Sequence, residues 1–321
     1  MKLLIVGGAG YIGSHMVEYC QNLNFDITVL DNFSTGHRKF VNGCEIIECD
    51  LVNRDDLLKK LNKKKFDGVI HFAGKSLVAE SIQRPDIYYQ NNVKGTLNLL
   101  EALLKNNVNN IVFSSSAAIF GMPTSNKIDE NHSKKPINPY GRSKLIVEEI
   151  MKDYCISYDL NICSLRYFNA AGASICGSIG ELHDPETHLI PNVLISLKQK
   201  AVNLKVFGND YKTPDGTCIR DYLHVQDLAV AHHACLEHMK NNKGFSSFNL
   251  GNEDGFSVLD IIQSCERVTG KKIKFDIVDR RAGDPDILVA NSKKAKLELG
   301  WIPSYKNIDS IIETAWNWHN K

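Results

Sequence analysis

The sequence predicts an α/β protein, a doubly wound parallel sheet followed by a smaller α/β lobe. Three observations carry that prediction. Short, wholly apolar runs alternate with amphipathic stretches through the first half, glycines cluster directly after the first run, and the alternation loosens after about residue 168. Apolar strands separated by helices belong to a parallel sheet covered on both faces.

Taken in order, the expected strands are Leu3–Val6, Ile27–Leu30, Glu45–Glu48, Gly68–Phe72, Asn110–Ser114 and Asn161–Arg166. The helical stretches between them are Ile12–Leu23, Asp55–Leu61, Val93–Leu104 and Ser143–Tyr158. In the third, Val93, Leu97, Leu100 and Leu104 recur at three- and four-residue steps, which marks one helix face. Residues 1–168 are therefore expected to form the first domain and 169–321 the second, with 217–240 returning to the first. Ala170–His188 is rich in glycine and small residues, and His183-Asp184-Pro185 reads as a loop. In a sheet of this kind ligands bind beyond the carboxyl ends of the strands, so informative residues should follow strands.

Composition narrows the partners. The chain has 321 residues, 43% hydrophobic and 23% charged, with a net charge of +1. Such a balance lacks the basic stripe that nucleic acid binding requires. Nine scattered cysteines without a Cys-x-x-Cys pair argue against a disulfide framework or thiolate zinc site. No apolar run approaches the ~18 residues that cross a bilayer, and no signal peptide is apparent. The expectation is a soluble, cytoplasmic protein that binds a small molecule.

Gly7-Gly8-Ala9-Gly10-Tyr11-Ile12-Gly13 follows the first strand and opens a helix. Glycines there allow a tight turn and let backbone N–H groups approach a pyrophosphate. Asp31 ends the second strand, where an acid hydrogen-bonds the adenosine ribose, as in a Rossmann fold. Its charge repels a 2′-phosphate and so favours NAD over NADP, although Arg38 is a nearby cation of the opposite tendency. Gly74-Lys75-Ser76 is not a phosphate loop, because Gly68 precedes a strand instead of following one.

Tyr140 and Lys144 lie four residues apart, one helical turn, and Tyr140 is the single one of eleven tyrosines with lysine at that step. A phenol with pKa ~10 is a poor base at neutral pH, and a neighbouring cation favours its charged form. A solvated surface pair is the plain alternative. Ser114-Ser115-Ser116 ends the Asn110–Ser114 strand, so a hydroxyl there would bridge a substrate alcohol and Tyr140, or else cap a turn.

These elements together, with Phe72-Ala73-Gly74 and Asn91, resemble the extended branch of the short-chain dehydrogenase/reductase superfamily. The second half narrows the resemblance to its UDP-glucose 4-epimerase family, over essentially the whole chain. It does so through Arg166-Tyr167-Phe168-Asn169, Pro185–Pro191, Phe207–Tyr211, Asp215–Tyr222 and Arg280-Arg281-Ala282-Gly283-Asp284. The resemblance implies an isomerase that inverts C4 of UDP-glucose and UDP-galactose through a 4-keto sugar, with NAD bound tightly and not consumed. Tyr140, Lys144 and Ser116 would be catalytic.

Gly7, Gly10, Tyr11, Ile12, Gly13, Asp31, Asn32, Asp50, Leu51, Phe72, Ala73, Gly74, Asn91, Ser114, Tyr140, Lys144 and Tyr167 would hold NAD. The UDP-sugar would meet Ser116, Tyr140, Asn169, His188, Leu189, Phe207, Arg220, Arg281, Asp284 and Leu288. Taken alone, Arg220 beside Asp221 reads as a structural ion pair, and His183 and His188 as loop or pocket residues. No metal site is expected. The resemblance also implies a homodimer packed through Val93–Leu104 and Ser143–Tyr158. Some members carry a lysine where Ser76 stands, which leaves open whether this loop touches phosphate.

Leu288 stands where some members hold a large aromatic, an opening for UDP-N-acetylhexosamines. Ala117 and Ala118 occupy the places of the Asp-Glu pair of nucleotide-sugar dehydratases. A UDP-hexuronate epimerase or decarboxylase, and a non-catalytic NAD-binding regulator, stay open as alternatives. Such regulators tend to lose the tyrosine–lysine pair.

Overall fold

The structure is a computed structural model and describes residues 1–198, 204–281 and 283–321, so Ala282 lies outside the described residues. Strands β1 (Lys2–Val6), β2 (Asp26–Asp31), β3 (Glu45–Glu48), β4 (Gly68–His71), β5 (Asn110–Ser114) and β6 (Asn161–Tyr167) agree with the apolar runs to within one residue at each end. The chain then forms β7 (Asn169–Ala171), β8 (Leu204–Phe207), β9 (Ile219–His224), β10 (Phe245–Leu250), β11 (Gly255–Ser257), β12 (Phe275–Val278) and β13 (Ile287–Leu288).

Seven parallel strands make the first sheet, in the order β10-β6-β5-β4-β1-β2-β3. The chain runs outward from β1 to β3 on one side and resumes at β4 on the other. That reversal opens a crevice beyond the carboxyl ends of β1 and β4. Leu3 and Ile5 face one side of β1, packed with Met16, Val17, Leu228 and Phe248. Leu4 and Val6 face the other, with Leu57, Leu99, Leu103 and Val147. Each such side chain, fully buried, contributes ~1.5–3 kcal/mol.

Two helices begin earlier than their periodicity suggested. Gly95–Lys105 continues from a turn at Pro85–Tyr88 through a π-helical stretch at Tyr89–Lys94, so the backbone is helical well before Val93. The helix containing Tyr140 spans Pro139–Tyr158, not Ser143–Tyr158. Asn138 accepts the Gly141 N–H at 2.8 Å, and Pro139 supplies a pre-set φ at the first helical position. These start signals precede the apolar stripe that defined the shorter segment.

In the second lobe β9 sits among β7, β11 and β13, and β8 pairs with β12. The helices Leu189–Ser196, Val258–Thr269 and Ile308–His319 close around Ile190, Val193, Ile261 and Ile311. Within the expected return segment, the helix Val225–His238 packs beside Tyr11–Asn22 on the first sheet. The return reaches further than 217–240, because β10 completes the first sheet alongside β6. Among the described residues no helix is long and apolar enough to cross a membrane.

Candidate active site

The glycine turn is shaped by contacts that leave no room for side chains. Gly7 has φ +77°, and a Cβ there would meet the Ala73 backbone nitrogen at 2.5 Å. A Cβ on Gly13 would meet the Gly7 carbonyl oxygen at 2.2 Å, so helix Tyr11–Asn22 can start this close to β1 only with glycine. Gly10 is its N-cap, and no side chain caps the first turn. The N–H groups of Tyr11, Ile12 and Gly13 lack intrahelical partners, and they suit a phosphate anion. The Tyr11 hydroxyl donates to the Gly172 carbonyl at 2.6 Å, which ties this turn to the second lobe.

Asp31 ends β2 and braces the turn. Its Oδ2 accepts the Ala9 N–H at 2.9 Å and its Oδ1 the Phe33 N–H at 2.8 Å. Burial pushes its carboxyl above the ordinary range, opposed by the backbone N–H groups of Phe33 and Ala9. A carboxylate has about four lone-pair sites, so both oxygens keep capacity for ribose hydroxyls. Asn32 donates to Asp50 at 2.9 Å, and Leu51 lies beside it with its carbonyl accepting from Asn98 at 2.8 Å. Arg38 stacks on Phe33 at 4.0 Å and pairs with Glu48. Its charge is therefore already matched, which favours NAD further.

Beyond β4, Phe72 and Ala73 both donate to the Val6 carbonyl, at 2.8 and 3.0 Å, and a Cβ on Gly74 would come within 3.6 Å of Lys144 Nζ. Asn91 turns back on its own helix, donating to the Ile87 carbonyl at 3.1 Å. Its neighbour Asn92, which the sequence did not single out, is buried and does more. It accepts the Lys75 N–H at 2.8 Å and donates to the Lys75 carbonyl and to Ser143 Oγ, at 3.0 and 2.9 Å. The Lys75-Ser76 loop is thus fixed through its backbone.

Tyr140, Ser116 and Lys144 converge where β5 ends. Ser116 caps a single 3-10 turn at Ala117–Ile119, accepting the Ala118 N–H at 3.1 Å. Gly141 makes the convergence possible, since a Cβ there would meet the Ala118 carbonyl oxygen at 2.3 Å. Tyr140 is half-buried; desolvation pushes its phenol above the ordinary value, and the Ser116 hydroxyl draws it back down. Lys144 lies one helical turn further on, with anchors of its own. Its amine donates to the Ser114 carbonyl at 2.8 Å and sits 4.8 Å above the Phe113 ring. Burial lowers its pKa to about 8, with Glu148 opposing.

Behind Lys144, the Arg166 guanidinium grips Glu148 with two bonds of 2.9 and 2.6 Å, and Ser115 and Ser164 donate to the same carboxylate at 2.6 and 2.9 Å. Ser114 Oγ meets His232 at 2.9 Å, and burial raises the Tyr167 phenol close by.

In the second lobe the two arginines have partners. Arg220 pairs with Asp284 at 2.5 Å, not with Asp221, whose oxygens accept backbone N–H groups of Asn252, Glu253 and Ala290. Arg281 stacks on Phe207 at 4.1 Å. Asn169 donates to the Asp221 carbonyl at 2.9 Å. Leu288 pairs with Arg220 across β13 and β9 and packs with Phe168 against Ala117 and Ile119, beside Ser116. His188 precedes helix Leu189–Ser196 and turns its ring onto Glu181.

A glycine turn with free helix N–H groups, an acid at the end of β2, and a tyrosine, lysine and serine at the end of β5 define a nucleotide-dependent enzyme that works on alcohols. The chain belongs to the NAD dependent epimerase/dehydratase family, whose profile matches residues 3–251. It is 47% identical over 320 residues to the UDP-glucose 4-epimerase of Lactobacillus helveticus, covering 99% of this chain and 97% of that one. The solved UDP-glucose 4-epimerase of Brucella ovis in complex with NAD superposes with TM-score 0.95 at 45% identity, covering 98% of this chain and 97% of that one. The Bifidobacterium longum UDP-glucose 4-epimerase in complex with NAD+ and UDP gives 0.94 at 35% identity, covering 100% and 98%.

Proposed function

We infer that this chain inverts C4 of a UDP-hexose, interconverting UDP-glucose and UDP-galactose, with NAD retained between turnovers. One observation carries the reading: Tyr140, Ser116 and Lys144 meet at the end of β5, beside a glycine turn that only a backbone-hugging phosphate group would fill. Gly7, Gly10 and Gly13 with the Tyr11 and Ile12 N–H groups would hold the pyrophosphate, and Asp31 the adenosine ribose. Asn32, Asp50 and Leu51 would line the adenine end, while Phe72, Ala73, Gly74, Asn91, Ser114 and Tyr167 would line the path to the nicotinamide. Bound there, NAD would supply the hydride chemistry that the inversion at C4 of the sugar requires.

The chain's own residues do the rest. Tyr140 removes the 4-OH proton and later gives it back, and Ser116 orients that hydroxyl. Lys144 has two N–H groups beyond the one on the Ser114 carbonyl; these bind ribose and stabilise the Tyr140 phenolate once the cofactor displaces water. Asn169, His188, Leu189 and Phe207 hold the uridine end. Arg220 and Arg281 take the diphosphate, for which guanidinium forks are suited, and Asp284 takes the nucleotide ribose. The small Leu288 leaves space beside C2 of the sugar and extends the range to UDP-N-acetylhexosamines. Good turnover of UDP-galactose with no interconversion of UDP-GlcNAc and UDP-GalNAc would remove that extension.

Homodimerisation through the helices Gly95–Lys105 and Pro139–Tyr158 is supported by Val93, Leu97 and Leu104, which lie on one stripe and are only partly buried. A cytoplasmic site of action accords with the nine free thiols. Purified protein given UDP-galactose and no added NAD should form UDP-glucose. A protein that binds NAD yet turns over no UDP-hexose overturns the reading.

A further inference from the structure

Two histidines and two glutamates converge in the loop that precedes helix Leu189–Ser196, beside Tyr11 of the glycine turn. We propose that Glu181, His183, Glu186 and His188 form a binding site for one divalent transition-metal ion, with zinc the best fit. Their ligand atoms all lie within 4.8 Å of one another. Both imidazoles present Nδ1 to the same two carboxylates. His183 Nδ1 is 3.2 Å from Glu181 Oε1 and 3.6 Å from Glu186 Oε1, and His188 Nδ1 is 3.9 Å from Glu186 Oε1 and in contact with Glu181 Oε1. Four ligands about 2.0–2.2 Å from a tetrahedral zinc stand ~3.4 Å from one another, close to both separations of His183. A movement of His188, the most exposed of the four ligands, opens its contact with Glu181.

Charge leads to the same ion. Glu181 is almost wholly buried, and two carboxylates facing each other across a small volume need two positive charges. Two imidazolium ions would supply both, and a single dication does so while leaving the imidazoles neutral, the form that coordinates. Imidazole and carboxylate together suit zinc better than the oxygen-seeking calcium or magnesium.

The surroundings orient the ligands as outer partners of a metal do. Glu186 Oε1 accepts the N–H groups of Thr187 and His188 at 2.7 and 2.9 Å. Trp318 Nε1 donates to the Glu181 carbonyl at 3.0 Å, and His183 stands edge-on to Tyr11 with ring centres 6.2 Å apart. An ion here would tie the loop, the C-terminal helix and the glycine turn together. Four protein ligands leave no open position, so the role is structural. The inference does not depend on the tyrosine chemistry, and it assigns the His188 imidazole to the ion, leaving only the backbone of that residue to the uridine end.

Tag-free protein, dialysed against chelator and then against buffered zinc chloride, should retain about one zinc per chain by elemental analysis. The double variant His183→Gln, His188→Gln should weaken zinc retention by at least about tenfold. Cys176→Ser, which removes the exposed thiol, should retain zinc like the parent. Should the double variant fail to fold, cobalt substitution of the parent tests the site without mutation. Intense visible d–d absorption without thiolate charge transfer is expected for tetrahedral nitrogen and oxygen ligands. No bound metal in the parent, unchanged retention in the folded double variant, or a thiolate band with cobalt would overturn the proposal.

Discussion

At the tyrosine edge the side chains are fixed from behind; in the arginine pocket they are held by one another. Ser116 is pinned by the Ala118 N–H, Lys144 by the Ser114 carbonyl, and Tyr140 by a helix whose Gly141 rests on the Ala118 carbonyl. Every anchor there is backbone and is indifferent to ligand. Arg220, by contrast, holds Asp284, and Arg281 lies on Phe207, each a partner that a bound nucleotide would claim. One region is fixed before any ligand arrives, and in the proposed reading the other would exchange internal contacts for ligand contacts. Chemistry tolerates misplacement poorly, whereas binding can absorb a rearrangement at some loss of affinity.

Four substitutions test that contrast. The largest effect is expected from Tyr140→Phe, which should lower kcat by about 10²–10⁴-fold while UDP affinity, read by calorimetry, stays near that of the parent. A large loss of UDP affinity instead would mean that the two regions are not separate. Next is Arg166→Met, which strands Glu148 in the core behind Lys144. It should cost about 3–5 kcal/mol in denaturant unfolding, and a loss under 1 kcal/mol would show that the scaffold is softer than its hydrogen bonds suggest.

The third concerns the Lys144 proton. Its pKa falls from near 10.5 in the unfolded chain to about 8 in the folded protein. Between those values the unfolded chain binds the proton and the folded protein does not, so stability rises with pH across that window. Relative to Lys144→Met, the cofactor-free parent should therefore gain up to about 3 kcal/mol from pH 8 to 10.5 and run parallel below it. Parallel curves throughout would place the lysine in water.

The smallest effect belongs to Arg281→Met. A lost charge-assisted contact of about 1.5–3 kcal/mol should raise KM for UDP-galactose roughly 10–100-fold, with kcat and melting temperature nearly unchanged. A fall in kcat as large as the rise in KM would erase the distinction between the regions.

The sheet was legible because five of its strands are interior with apolar centres, and the edge strand β3 keeps the pair Ile46-Ile47. The seventh, β10, was missed because its pattern is broken: Phe245-Ser246-Ser247-Phe248-Asn249-Leu250, at one edge of the sheet, is half-exposed at its start and carries no continuous apolar run. Residue types with their own chemistry stood out in the sequence, the glycine turn, Asp31 and the Tyr140 motif among them. Residues that act by fixing others did not. Asn92 differs from Asn91 only in which way it faces, and Gly141 matters only because Ala118 lies against it. The Glu181, His183, Glu186 and His188 group needs a loop to fold back on itself, which no periodicity announces. What fixes Lys144, its burial and the Ser114 carbonyl, could not be read from its spacing to Tyr140.

The late return of the chain to its first sheet bears on how the protein is made. Helix Val225–His238 shares with helix Tyr11–Asn22 the cover of one face of a sheet whose other strands end at Tyr167, and β10 adds the edge. A ribosome adding roughly 5–20 residues per second leaves that part of the face bare for several seconds, while the first third of the second lobe is being synthesised. The nascent chain is thus a client for chaperones during that interval. A protein shortened before Leu250 would be released with its hydrophobic face uncovered, so the two lobes are separate in form but not in biogenesis.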